Sequence, residues 1–208
     1  MKKLLLLLFS LFLLNSPSVF ADDISDFEIE GMSIGDSLLD YMTEEEILEE
    51  IELNKGRFLF LKEPDKYVQI NLIKDFSTYD EISFLIMNNA SNKYITDKNE
   101  KYKILTIRGA RKYIEDFNGC KQERDEIVEV LSRMFPNIQK IELVEKSPAD
   151  SSGNSIMDNV FFKFNSGAQI DVYCSNYEET FRTKKNWFEG LSVSLIAAET
   201  HNWLRDYK

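Results

Sequence analysis

The sequence predicts an α+β fold, with antiparallel β-sheet and helices packed on one face. Several short segments are rich in β-branched and aromatic residues, and turn residues separate them. Because the gaps are too short for crossover helices, these segments should pair as antiparallel hairpins. Helical segments precede each of two groups of strands. We therefore expect one domain over residues 22–208, with two helix-then-meander halves at 22–109 and 110–208 as a further possibility.

The first 21 residues have the pattern of a secretory signal peptide. Lys2 and Lys3 precede the apolar run Leu4–Leu14, and cleavage is expected after Ala21. The run is about half as long as a bilayer requires. We therefore expect a periplasmic or secreted mature chain with no membrane span. Loss of the two lysines changes the formal net charge from −11 to −13. This acidic balance argues against nucleic acid as a partner, because phosphates repel a carboxylate-rich surface.

The first half of the chain begins with a strand candidate and two helix candidates. Phe27–Glu30 is a short strand, and Asp36–Met42 has one apolar helical face. Thr43 followed by Glu46 forms a capping box that opens a second helix. Isoleucine and leucine form the apolar side of that helix, and its other positions are mostly glutamates. The acidic run is either a solvated face or a docking surface for a basic partner.

The remaining elements follow from alternation and helical periodicity. The predicted strands are Phe58–Leu61, Tyr67–Ile73, Glu81–Met87, Tyr102–Arg108, Gln139–Glu145, Asn159–Phe164, Gln169–Cys174 and Leu191–Ala197. The predicted helices are a short one at Ala110–Phe117, a longer one at Lys121–Phe135, and a final turn that carries Trp203. Asn165-Ser166-Gly167 is a strong hairpin turn.

The two cysteines predict a disulfide. In an oxidising compartment an even pair in a small domain usually bridges. Cys174 alternates with Ile170 and Val172, which places it on the buried face of its strand, and Cys120 lies just before the helical stretch at 121. The Cys120–Cys174 bond would stabilise the fold by roughly 4 kcal/mol in the chain-entropy model. Free buried thiols and a redox or metal role are the alternatives.

Two overlapping motifs near residue 35 match serine hydrolases. Gly31-Met32-Ser33-Ile34-Gly35 fits the G-x-S-x-G pattern, and Gly35-Asp36-Ser37-Leu38 resembles the first block of the GDSL (SGNH) hydrolases. The resemblance implies Ser37 as nucleophile, and Ser33 is the alternative from the first pattern. The competing interpretation is a turn in which these side chains cap free amides.

A serine nucleophile also needs a base. His201 is the one histidine of the chain and therefore the one candidate. The hydrolase family has Asp three residues before its histidine, and this chain has Ala198 there. The esterase therefore ranks below a non-enzymatic role.

A metal-binding interpretation exists for one polar loop. Asp150, Ser152 and Asn154 alternate oxygen-bearing side chains around a glycine, as in calcium loops. An EF-hand also needs Gly at its sixth position and Glu at its twelfth, where this chain has Ser155 and Phe161. We therefore expect an ordinary loop and no metal or cofactor.

Aromatic residues lie on both sides of two predicted strands. Phe161, Phe162 and Phe164 form one such set, and Phe58–Phe60 is similar. A strand that is apolar on both sides is usually covered on both sides. The alternative is an exposed patch that contacts a partner.

The order of the first elements resembles an envelope module. Gly31-Met32-Ser33 precedes the helix pair Asp36–Leu53, and a meander follows, as in SmpA/OmlA proteins. That resemblance of the N-terminal third implies protein–protein contacts, and the overall outline resembles exported bacterial proteins of unknown function. The modules are typically lipoproteins, whereas this chain has no lipobox cysteine.

We therefore expect a non-enzymatic periplasmic or secreted domain that binds a protein or peptide partner of the cell envelope. The aromatic strands would form the contact surface, and the acidic helices favour a basic partner. The alternatives are a serine esterase that uses Ser37 with His201, and a module that holds a small apolar molecule between sheet and helices.

Overall fold

The structure is a computed structural model that describes residues 24, 27–55, 66–72, 75–88, 95 and 97–206. The predicted signal peptide and the predicted strand Phe58–Leu61 lie outside the described residues. Among the described helices, none combines the length and the apolar character needed to cross a membrane.

The described residues form one large antiparallel sheet and one small hairpin. The hairpin pairs β1 Glu28–Ile29 with β2 Met32–Ser33. The strands of the large sheet are β3 Tyr67–Leu72, β4 Glu81–Met87, β5 Ile104–Lys112, β6 Gln139–Lys146, β7 Ile156–Lys163, β8 Gln169–Asn176 and β9 Gly190–Ile196. Their order across the sheet is β3-β4-β5-β9-β8-β7-β6, and every neighbouring pair is antiparallel.

Two meanders meet at the centre of this sheet. One consists of β3, β4 and β5, and the other of β6, β7 and β8, each strand following the previous one in the chain. The last strand, β9, lies between β5 and β8 and joins the two groups. The predicted α+β class with hairpin-paired strands is confirmed. The pairing of β5 with β9 was not predictable from adjacent turns.

Four helices accompany the sheet: α1 Glu44–Asn54, α2 Phe117–Met134, α3 Glu179–Lys185 and α4 Ala198–Asp206. Helix α1 packs near β3, and α2 packs across β8 and β9. We call the side of the sheet beneath these two helices the covered face, and the opposite side the open face. Helices α3 and α4 flank β9 in the chain, and both lie at ends of the open face.

The start of α1 agrees with the sequence pattern. The Thr43 hydroxyl accepts a hydrogen bond from the Glu46 amide, and the Glu46 carboxylate accepts one from the Thr43 amide. Ile47 is fully buried, but Leu48 keeps 46% of its surface exposed. The predicted helix at Asp36–Met42 is wrong: this stretch contains a single 3-10 turn at Leu38–Asp40.

Helix α2 begins four residues earlier than predicted. Asp116 caps it by accepting a hydrogen bond from the Gly119 amide at 2.9 Å. Cys120 therefore lies inside the first turns of the helix, where it forms a disulfide with Cys174 of β8 across a Cα–Cα distance of 6.0 Å. The bond attaches α2 to the strand of the second meander that borders β9.

The predicted short helix at Ala110–Phe117 is also wrong. Residues up to Lys112 continue β5, since Ala110 pairs with both β4 and β9, and Arg111 and Lys112 pair with β9. Pairing with neighbouring strands therefore outweighs the local preference. The remaining residues connect directly to the cap of α2.

The apolar core lies between the covered face and the two helices that pack on it. Its sheet residues alternate with those of the open face, as the register requires. The fully buried side chains contributed by the strands include Ile70, Ile82, Phe84, Ile107, Phe162, Ile170 and Leu191. From α2, Ile127, Val128 and Leu131 pack on this layer. This core positions the open face without contributing side chains to it.

Candidate functional site

The open face carries polar and small side chains where the covered face is apolar. Two adjacent rows cross its centre, and their members lie opposite one another in the register. One row is Ser83, Arg108, Ser194, Asp171, Phe161 and Ile141; the other is Glu81, Ala110, Ser192, Tyr173, Asn159 and Leu143. The serines of β9 are nearly fully buried, at 0% and 6% exposure, because larger neighbours stand around them. We call the polar residues at the centre of these two rows the polar floor. They are Glu81, Arg108, Asp171, Ser192 and Ser194.

Arg108 is the cation of the polar floor. Its Nε donates to Ser192 Oγ at 3.1 Å, and its Nη1 lies 3.3 Å from Glu81 Oε1. The guanidinium also lies 5.2 Å from the ring centroid of Phe188. Burial disfavours its charge, but the nearby Tyr173 and Glu81 outweigh burial, so the pKa of Arg108 is raised. Its charge is already balanced within the polar floor.

Asp171 is the anion of the same row. Gln169 Nε2 donates to its Oδ1 at 2.5 Å. Burial raises the pKa of Asp171 to about 6, although the hydrogen bond from Gln169 and the charge of Lys163 act in the opposite direction. Among the described residues, no cation is within ion-pair distance of this carboxylate. Asp171 therefore carries a desolvated charge that an external cation would stabilise.

Aromatic side chains stand at the α3 end of the open face. Tyr177, Phe181 and Trp187 contact one another with ring centroids 5.0–6.0 Å apart. Trp187 keeps 39% of its surface exposed. Buried Glu189 holds this end in place, since it accepts hydrogen bonds from the amides of Glu115 and Tyr177. The result is an aromatic rim beside the polar floor.

Helix α4 bounds the opposite end. Trp203 packs edge-on against Tyr67 with centroids 4.7 Å apart, over a small cluster that includes Leu85 and Leu105. The Tyr67 hydroxyl donates to Glu199 of α4 at 2.5 Å. These contacts fix α4 over the end of the first meander. The polar floor lies between this helix and the aromatic rim.

Besides Thr200 Oγ1 of α4 itself, two buried side-chain oxygens near this helix lack a hydrogen-bond partner among the described residues. They are Thr106 Oγ1 and Gln169 Oε1, which both stand on the open face in the row that also contains Ile196. Burying a polar atom without a partner lowers stability.

The three phenylalanines in and just after β7 lie on different faces of the sheet. Phe162 and Phe164 are buried on the covered face at 1% and 4% exposure. Phe161 points to the open face and is half-buried. Of the three, only Phe161 lies on the surface beside Asp171. Phe58–Phe60 lies outside the described residues.

The serines singled out by the hydrolase motifs contact main-chain groups and a nearby carboxylate. Ser37 is 2% exposed; its hydroxyl donates to the Lys101 carbonyl at 2.8 Å and accepts from the Leu39 amide. It thereby caps the 3-10 turn. The Ser33 amide donates to Asp36 Oδ2 at 2.9 Å.

The candidate base lies in different surroundings. His201 Nδ1 is 3.1 Å from the carbonyl of Gly167, in the turn between β7 and β8. None of the contacts described for Ser33 and Ser37 joins either serine to this histidine. The structure therefore does not bring the parts of the hydrolase motif together.

The carboxylate of the oxygen-rich loop at residues 150–155 accepts hydrogen bonds from within the same loop. The carboxylate of Asp150 accepts from the amides and hydroxyls of Ser152 and Ser155 at 2.6–3.0 Å. These bonds, led by the Ser155 hydroxyl, lower the pKa of Asp150 to about 2. Among the described residues no group of three His, Cys, Asp or Glu side chains is arranged to hold a metal ion.

The residues that form the polar floor were not identified from the sequence. Arg108 and Asp171 lie far apart in the chain and share one row, on either side of Ser194, only because β9 pairs with both β5 and β8. The one available signal was the alternation of serines with apolar residues in β9. That pattern indicates a polar face, but it does not identify the neighbours of that face.

Comparison with known proteins does not assign this site. No family model, curated protein or solved structure matches the chain. The resemblance of the N-terminal third to SmpA/OmlA modules stays a prediction. A functional conclusion must therefore come from the geometry of the open face.

Proposed function

We propose that this protein is a non-enzymatic binding domain whose open face receives a protein or peptide partner through a basic side chain. The observation that carries the proposal is the carboxylate of Asp171, which is partly buried on the open face and has no ion-pair partner among the described residues. A lysine or arginine of the partner would supply the missing counter-charge. Charge-assisted hydrogen bonds of this kind are the stronger ones.

Three further features support the same surface. Phe161 and Tyr173 flank Asp171 and offer ring area, which is enriched where proteins bind partners. The net charge of −11 attracts a basic partner over a distance. Arg108 is already paired with Glu81, so it does not neutralise Asp171.

We further propose that the domain acts outside the cytoplasm. The bond between Cys120 and Cys174 supports this location, because such bonds persist in oxidising compartments. The signal-peptide pattern of the first 21 residues supports the same conclusion.

The proposal can be tested by selecting peptides from a random display library on the disulfide-bonded protein. We expect the selected peptides to contain lysine or arginine beside apolar residues. Isothermal titration should then give at least about tenfold weaker binding for Asp171→Asn, because the charge-assisted contact is lost. Phe161→Ala should also weaken binding.

The matched control is Asp125→Asn, since Asp125 is an exposed carboxylate on α2 over the covered face. Its substitution should leave peptide binding unchanged. Basic peptides that bind Asp171→Asn and the unaltered protein equally well would place the binding surface elsewhere. Selected peptides without basic residues would contradict the choice of partner.

A further inference from the structure

The two edges of the large sheet differ in how they are protected. At the β3 edge, α1 packs alongside, and the carboxylate of Glu50 accepts a hydrogen bond from the Asn71 amide at 3.3 Å. At the other edge, β6 is the outermost strand, and no described residue pairs with its outer side. An unpaired strand edge is a template for another strand.

Strand β6 is also exposed on its side chains. Seven of its eight residues are exposed, and Ile141 is the partly buried one. Val144 keeps 66% and Leu143 keeps 43% of its surface accessible, which places both among the most exposed large apolar residues described. Its charges cancel, because the strand contains two lysines and two glutamates. The strand is therefore a neutral stretch in a strongly acidic chain.

The order of the side chains on β6 is self-complementary. Glu142, Val144 and Lys146 share the covered face, because each opposes a residue of β7 that points toward α2. If a second copy of β6 pairs antiparallel about Val144, the two Val144 side chains face each other. Each Glu142 then lies opposite the Lys146 of the other copy. Opposite charges in directly facing positions stabilise a strand pair.

Other symmetric registers of the strand pair are disfavoured by charge. Pairing about Leu143 would place Lys140 opposite Lys146. Pairing about Glu142 or Glu145 would place two carboxylates opposite each other. Like charges at facing positions destabilise the pair.

The register about Ile141 is less favourable for a different reason. It would set Lys140 against Glu142, which already lie 2.8 Å apart within one strand, and it would leave Lys146 without a facing carboxylate. It would also leave the exposed Val144 away from the centre of the pair formed by β6 and its copy. The register about Val144 therefore places opposite charges in facing positions and also brings the two exposed Val144 side chains together.

We propose that two copies of this protein associate through β6, antiparallel about Val144, so that the two sheets become continuous. When a residue faces its own copy, both side chains lie on the same face of the sheet, so the two-fold axis is perpendicular to the sheet. The covered faces of the two copies then lie on one side of the joined sheet. One added strand pair buries less area than the roughly 1,200 Å² of a standard interface. We therefore expect a weak, concentration-dependent dimer. The open face lies on the other side of the strands and stays available.

The test is sedimentation equilibrium of the disulfide-bonded protein from about 10 µM to about 1 mM, a range that suits interfaces of this size. The unaltered protein should show a monomer–dimer equilibrium. Glu142→Lys and Lys146→Glu should each weaken association at least about tenfold, because each creates two like-charged pairs in the seam. Both residues are exposed, so thermal unfolding should confirm that the variants fold.

Mixing the two variants provides the decisive measurement. In a mixed dimer the lysine introduced at position 142 of one chain faces the glutamate introduced at position 146 of the other. The second pair is the unaltered Lys146 against the unaltered Glu142, so all facing charges are opposite. The mixture should therefore associate although each variant alone does not. Glu126→Lys, an exposed site on α2, is the control that should leave association unchanged.

Three results would overturn the proposal. One is a monomeric protein throughout the concentration range. Another is dimerisation that the two substitutions do not affect, which would place the interface elsewhere. The third is a mixture that stays monomeric, which would exclude the register about Val144.

Discussion

The two faces of the sheet use the same strands but differ in chemistry, and β9 shows the contrast within seven residues. Leu191, Val193 and Leu195 point toward α2, whereas Ser192 and Ser194 point to the open face. All five are buried. Burial alone therefore does not distinguish the core from the face that we propose for binding. The two faces differ in the neighbours of these buried residues, which are apolar side chains on the covered face and polar or charged groups on the open face.

The sharpest test of this contrast compares neighbouring phenylalanines of β7. Phe162→Ala removes a side chain that is 1% exposed on the covered face, and we expect it to lower the free energy of unfolding by about 3–5 kcal/mol. Phe161→Ala, on the half-buried open face, should cost about 1 kcal/mol. Urea unfolding monitored by circular dichroism gives both values. Equal losses would mean that the two faces are packed alike.

The second test concerns the attachment of α2 to the covered face. Replacing Cys120 and Cys174 by alanine should lower the free energy of unfolding by up to about 4 kcal/mol, because the unfolded chain loses a constraint across 54 residues. Chemical unfolding of the double variant beside the unreduced protein measures the loss. The open face should keep its peptide affinity in the folded variant. Loss of that affinity without unfolding would show that the two faces are coupled.

The third test uses pH on the open face. The pKa of Asp171 is raised from 3.8 in the unfolded chain to about 6 in the folded protein, so the native state favours the protonated carboxyl. The associated stability is present below pH 3.8 and is lost as the pH rises through 6. Asp171→Asn should therefore match the unaltered protein near pH 4 and exceed it by about 2–3 kcal/mol near pH 7.

Thermal unfolding of both proteins from about pH 4 to about pH 7.5 measures this difference, and comparison at each pH cancels the other titrating groups. A basic peptide bound to the open face should reduce it, because the peptide stabilises the charged carboxylate. A difference that does not change with pH would mean that Asp171 is ionised as easily in the folded protein as in the unfolded chain.

Local chemistry accounts for the elements that were predictable. The capping box at Thr43 and the turn at Asn165-Ser166-Gly167 depend on neighbours within a few residues, and both are present; Gly167 adopts a φ of 90°. The alternation of apolar residues and serines in β9 corresponds to the two faces of the sheet. The errors at Ala110–Phe117 and at the start of α2 came from the ends of elements, where pairing with distant strands and the Asp116 cap decide the outcome.

The candidate site was not predictable for a related reason. Its charges come from β5 and β8, which are brought together by β9, and no spacing in the sequence encodes that insertion. The serines at 33 and 37 match catalytic patterns in sequence, but a short hairpin and a 3-10 turn surround them with capping contacts. A four-residue motif does not specify the sheet that must surround it.

The position of β9 also has a consequence for folding. The first meander is complete at Lys112. Its last strand, β5, has no partner on the side facing the centre of the sheet until residues 190–196 of β9 have been synthesised. Contacts between such distant segments slow folding, because a long loop must close before they form. The chain therefore stays without its closing strand during most of its synthesis. Slow closure of this kind is compatible with the export we propose, in which a polypeptide crosses a membrane unfolded and acquires its final topology only after release.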